Sequence, residues 1–179
     1  MKQTDHNFTK YITLNVLGML GLSGYILADT FFVSNRLGSQ GLAALNLAIS
    51  VFGLINGIGM MLGIGAATRY SICKAQNNHS KANQVYTIAI TSGITIGIAF
   101  TLVGLLFSNE LAQLLGADPE TLSMCAVYLK TALSFSPFFI LNHILIAFVR
   151  NDGNPKLSMA AMLVGSLSNI CLLYTSRCV

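Results

Sequence analysis

The sequence predicts an all-α membrane protein, a polytopic helix bundle with about four and a half transmembrane helices. Of the 179 residues, 54% are hydrophobic and only 9% charged, against about 25% charged in ordinary soluble domains. Ten Lys and Arg with six Asp and Glu cannot coat a soluble domain of this length, and the mean hydropathy is +0.67. The apolar residues fall in five blocks separated by short gaps rich in Gly, Pro, Asn and Ser. Such gaps are loops, not linkers between domains.

The first helix is expected over residues 11–33. Lys2 and Lys10 precede it as they would precede a signal peptide, but the run has no A-x-A site and exceeds the roughly 7–15 residues of a signal core. At 1.5 Å per residue it covers roughly 35 Å, enough to cross a bilayer. The second helix is expected over 42–70, the third over 84–107 and the fourth over 121–149. A fifth occupies 157–171, and the chain ends soon after it. The gaps read "SNRLGSQG", "SICKAQNNHSKAN", "SNELAQLLGADPE" and "RNDGNPK".

Loop charges set the expected orientation. With the N-terminus in the cytoplasm, Lys2, Lys10, Arg69, Lys74, Lys81, Arg150 and Lys156 all lie inside, while Arg36 alone lies outside. That asymmetry fits a multi-pass protein of the cytoplasmic (inner) membrane, its charges serving orientation beside membrane lipids and not nucleic-acid binding. The four cysteines form no CxxC pair and read as small buried hydrophobes.

Helix 2 carries Gly53 with Gly57 and Gly59 with Gly63, helix 3 carries Gly93 with Gly97, and helix 1 carries Gly18, Gly21 and Gly24. Glycines four apart let backbones approach closely, whatever the protein moves. Pro137 should kink helix 4 between Ser136 and the following Phe pair, as fixed architecture or as a hinge.

No constellation of an enzyme is present: there is no HExxH, no GxSxG and no phosphate-binding loop after a strand. His143 has no second ligand at i+3 or i+4 and reads as a satisfied buried histidine; His6 and His79 stand in solvated segments. Asp29 is the one acid inside a span. A mid-bilayer Asp costs at least about 2.5 kcal/mol, so such acids are paired, protonated or set in a wet cavity. Two readings stay open on spacing alone. Asp29 sits at the outer interface or caps the break before "SNRLG", or it exchanges a proton or Na⁺ as a carrier's coupling group. Tyr25 lies one turn earlier on the same face, and Asn15, Asn46, Asn56, Asn142 and Asn169 add buried amides that act as interhelical glue or as cavity lining.

The segments "ADTFFVSNRLGSQGLAALNLA", "GLINGIGMMLGIGAATRYS", "LLGADPETLSMCAVYLKTALSFSPFFIL" and "FVRNDGNPKLSMAAMLVGSLSNI" resemble, in order and spacing, the multidrug and toxic compound extrusion (MATE) family over nearly residues 8–172. The resemblance implies a six-helix N-terminal lobe, partly present as residues 1–171, of a twelve-helix antiporter that expels small organic molecules in exchange for H⁺ or Na⁺. No other cofactor is implied. It makes Asp29 the helix-1 acid of cation coupling, with a bound Na⁺ as one occupant, and Tyr25, Tyr128 and Asn169 its polar neighbours. Asn46, Asn56 and Asn142 become candidates for lining the substrate cavity.

The family's second acid in helix 5 is replaced here by Leu173. From 172 onward, "LLYTSRCV" reads as a non-native tail, so the fragment is expected to be inactive without the missing C-terminal lobe. A lipid-linked oligosaccharide flippase of the same superfamily is the first rival, opposed by the near absence of Lys or Arg within helices apart from Lys130. A membrane scaffold that moves nothing is the second.

Overall fold

The computed structural model describes the backbone of residues 2–175, and their side chains except those of 2–8, 10, 11, 15, 22, 25 and 173. Five helices follow in order: α1 (Lys2–Ala75), α2 (His79–Leu114), α3 (Pro119–Ser134), α4 (Ser136–Asn151) and α5 (Pro155–Thr175). No strand occurs among the described residues.

Unbroken, α1 would be about 110 Å long, more than three times the hydrocarbon core of a bilayer. It divides at Gly38, whose φ of 63° and ψ of −154° are not helical. The expected first and second helices are thus its two arms, and the gap at 34–41 is narrower than expected. One residue in a conformation that glycine adopts without penalty suffices to break the ladder. Gly41 completes the turn, because a Cβ there would meet Leu37 Cβ at 2.2 Å.

The gap expected over 108–120 also shrinks. Past a distortion at Phe107 (φ −125°, ψ 23°), α2 continues to Leu114 with Ser108 and Ala112 buried. That helical spacing packs a segment which its polar composition had assigned to a loop. Between α1 and α2, Asn77 takes a positive φ of 57°, and the Asn78 side chain caps α2 by accepting from the Lys81 amide at 3.1 Å. Gly153, with φ 90°, turns the chain from α4 into α5.

The expected fourth helix is two helices bent by 48°. The break lies at Phe135, before Ser136 and not after it. Proline disturbs the turn on its N-terminal side, where its ring meets the carbonyl of residue i−4 and its missing N–H leaves that carbonyl unpaired. Ser136 and Thr101 occupy the gap. The Ser136 hydroxyl donates to Leu133 O at 2.7 Å and to Gly97 O at 2.9 Å, and Thr101 reaches Leu133 O at 3.2 Å and Ser134 O at 3.3 Å.

Glycine contacts fix the packing directions. Gly59 and Gly63 of the second α1 arm lie against His143 and Ile144 of α4, running parallel to it; Gly97 and Gly104 of α2 lie against Pro137 and Leu133, running antiparallel. The core between them is made of Ile55, Leu129, Leu133, Ile140 and Ile144 with small alanines. Large apolar side chains such as Leu27, Leu106 and Phe138 are 68–72% exposed, the inverse of a water-soluble surface and the pattern of a lipid-facing one. Of the cysteines, Cys73 and Cys125 are buried, but Cys171 is exposed, because its face of α5 turns away from the core; Cys178 lies outside the described residues.

Candidate functional site

Asp29 is partly buried on the first α1 arm. Tyr128 of α3, also partly buried, lies within electrostatic range of its carboxylate. The level of this pair follows from a clamp at the break: Gln40 Nε2 donates to Glu120 Oε2 at 2.8 Å, tying the Gly38 turn to the start of α3. Along α3, Tyr128 lies about 12 Å from Glu120, and along α1 Asp29 lies about 13 Å from Gly38. Both helices run back from the same tie over similar lengths, which brings the two residues to a similar level.

The third side is α5. A Cβ on Gly18 would meet the Met162 sulfur at 3.1 Å, and one on Gly21 would meet Leu163 Cδ2 at 2.7 Å with Ser166 Oγ at 3.8 Å. Gly18 and Gly21 therefore carry the first α1 arm parallel to α5. Continued, this register brings about residues 171–174 level with Asp29 and puts Asn169 about one turn away. Asn169 itself is exposed. The side chains of Tyr25 and Asn15 lie outside the described residues.

The other expected amides divide. Asn56 is partly buried and its Oδ1 lies 2.9 Å from His143 Nε2, so the ring nitrogen donates to the amide oxygen there. The pair sits within the seam made by Gly59 and Gly63, as glue between α1 and α4. Asn46 and Asn142 are exposed, contrary to the expectation of buried amides. Each lies on a helix face turned away from the core; Asn46 shares its face with Gly53 and Gly57, around whose Cβ positions nothing lies within 4 Å. Among the described residues no group of three His, Cys, Asp or Glu could hold a metal ion.

Sequence reasoning missed the contacts at helix ends. Lys74 pairs with Asp152, and Tyr70 and Tyr86 both pack edge-on against Phe148. Partners 62 to 78 positions apart, at the ends of different helices and in the gaps beside them, leave no periodic signal.

A bundle of long apolar helices packed along glycine seams has the make-up of a polytopic membrane protein. The MatE family model matches residues 16–175, and the chain belongs to that family. It is 36% identical over 148 residues to the multidrug export protein MepA of Staphylococcus aureus (strain MRSA252), a match covering 83% of this chain. It is 32% identical over the same length to MepA of Staphylococcus saprophyticus. The chain spans 33% of the length of these relatives. Among solved structures it superimposes, with a TM-score of 0.83 and 26% identity, on a MOP superfamily transporter from Pyrococcus furiosus for which a reversed polarity of the binding pocket suggests a different function. That match covers 91% of this chain and 36% of the other.

Proposed function

We propose that this chain forms part of a multidrug exporter of the cytoplasmic membrane, in which Asp29 couples the outward movement of organic molecules to the inward movement of H⁺ or Na⁺. The observation that carries the reading is the position of Asp29: about 13 Å along the helix from the Gly38 turn, between α3 and α5, with the Tyr128 hydroxyl in electrostatic reach. A carboxylate at that depth is costly when ionised and unpaired. It favours the state of the protein in which a cation reaches it, and a cation that binds one facing state better than the other drives the alternation between them.

Membership of the MatE family and likeness to multidrug export proteins support the cargo class. The segregation of Arg69, Lys74, Lys81, Arg150 and Lys156 to one end of the bundle, with Glu110, Asp118 and Glu120 toward the other, supports a cytoplasmic N-terminus. Export requires the remaining two thirds of the relatives' length, which would supply the facing lobe, and the 179 residues alone are inactive on this reading. The exposed Asn46 and Asn142, with the open face at Gly53 and Gly57, would meet cargo or that lobe. The negative charge of Asp29 supports the cation-coupled reading. The test is drug efflux by a full-length transporter carrying this segment with Asp29→Asn.

A further inference from the structure

Glu120, Ser123, Val127 and Lys130 are all exposed on α3, and their spacing by three, four and three residues lines them up along one side of the helix. Lys130 lies about 15 Å along α3 from Glu120. Among the described residues its ammonium meets no acid; the ion pair there is that of Lys74 with Asp152, at the other end of the bundle. A charge so far from a helix end needs an anion or a path to the membrane surface. Helical side chains lean toward the N-terminus, so Lys130 slants toward Glu120, and a lysine reaches about 6 Å.

The surface around Lys130 shows what supplies the anion. A Cβ on Gly104 of α2 would stand 2.3 Å from Leu133 Cβ, and the antiparallel run from there sets Lys130 level with about Phe107. Leu106 and Phe107 are 68% and 52% exposed, and Val127, one turn from Lys130, is 63% exposed. Such a surface faces lipid, so the anion within reach is the phosphate of a phospholipid. The hydroxyls of Thr131 and Ser134 turn back to Val127 O at 2.9 Å and Lys130 O at 2.7 Å. The exposed Ser123 hydroxyl has no such bond among the described residues and is open to the same phosphate.

From the Lys130 ammonium, about 9 Å remain to the level of Glu120, room for a phosphate and the ammonium it carries. One Glu120 oxygen accepts from the neutral Gln40 amide, which leaves the carboxylate its charge and its other oxygen. Glu120 repels a purely acidic headgroup, and choline has no N–H to donate to it, whereas ethanolamine has three.

We propose that this face of α3 binds an ethanolamine phospholipid in the leaflet at the Gly38 end, its phosphate held by Lys130 and Ser123 and its ammonium by Glu120.

The chain contains no tryptophan, so Val127→Trp installs a single fluorescent reporter beside the site. The test is quenching of that reporter, in the purified 179-residue chain, by dibrominated phosphatidylethanolamine or phosphatidylcholine diluted into liposomes of digalactosyl diacylglycerol, a host lipid without phosphate. Phosphatidylethanolamine should bind more tightly than phosphatidylcholine, and both more tightly than the host. Lys130→Gln should weaken both about fivefold, and Lys130→Arg should retain them. Glu120→Gln should bring phosphatidylethanolamine down to the level of phosphatidylcholine. A reporter at Val164→Trp, exposed on α5, should show neither effect, and Thr131→Trp takes the place of Val127→Trp if that variant fails to fold. Quenching that Lys130→Gln leaves unchanged overturns the proposal. So does a reporter on this face that no brominated lipid quenches in a full-length transporter carrying the segment, because protein then covers it.

Discussion

Gly97 of α2 lies so close to Pro137 of α4 that a Cβ on the glycine would stand 2.5 Å from the proline Cα. The atom in the way is backbone, at a break already fixed by hydrogen bonds, and cannot swing aside. Gly97→Ala is therefore expected to destabilise the bundle by about 1–3 kcal/mol, the usual cost of overpacking. Gly53→Ala, facing open space, should stay within about 0.5 kcal/mol of the wild type. Thermal unfolding of both variants in one detergent checks the contrast, and equal losses would refute the packing.

The break itself gives a second prediction. Ser136 and Thr101 both donate to Leu133 O, so either hydroxyl partly covers for the other. Ser136→Ala and Thr101→Val should each cost about 0.5–1.5 kcal/mol, and the double variant should cost more than the two added together. A double-mutant cycle of unfolding free energies measures this. With the carbonyls so held, the joint at Pro137 behaves as a fixed bend, and we expect it to keep its 48° angle in both facing states; a changed distance between spin labels flanking it on cation addition would restore the hinge.

Asn56 and His143 are joined at 2.9 Å across the α1 and α4 seam. Hydrogen bonds between helices in a membrane average about 0.6 kcal/mol and reach about 1.7. Asn56→Leu should cost an amount in that range, and pairing it with His143→Leu should recover part of the loss. Full additivity would mean that the two side chains do not interact.

Orientation is checked by labelling single cysteines in a cysteine-free background. A cysteine at Gln76 should react with an impermeant maleimide only after the membrane is opened, whereas one at Asp118 should react on intact cells. The reverse pattern would invert the assignment of ends.

Most of the architecture was legible in the sequence because hydropathy reports on lipid, and the five apolar blocks have the lengths lipid demands. The ends were not, because a helix leaving the membrane keeps its hydrogen bonds while its composition turns polar, as residues 108–114 do. Asp29 stands out in the sequence since one carboxylate among apolar residues has few reasons to be there. Tyr128 stood out only through family resemblance, since its level on α3 relative to Asp29 depends on the Gln40 to Glu120 tie and on similar lengths of two helices. Asn46 and Asn142 are exposed where burial was expected for a related reason: a polar residue in an apolar helix signals a special face without telling whether this chain or another surface covers it.

The central claim is that the carboxylate of Asp29 carries the coupling cation. The most direct measurement is ethidium efflux from cells expressing a full-length transporter with this segment, comparing wild type with Asp29→Asn at matched membrane abundance. We expect the variant to reach the membrane and to lose cation-driven efflux. Efflux at the wild-type rate would contradict the account.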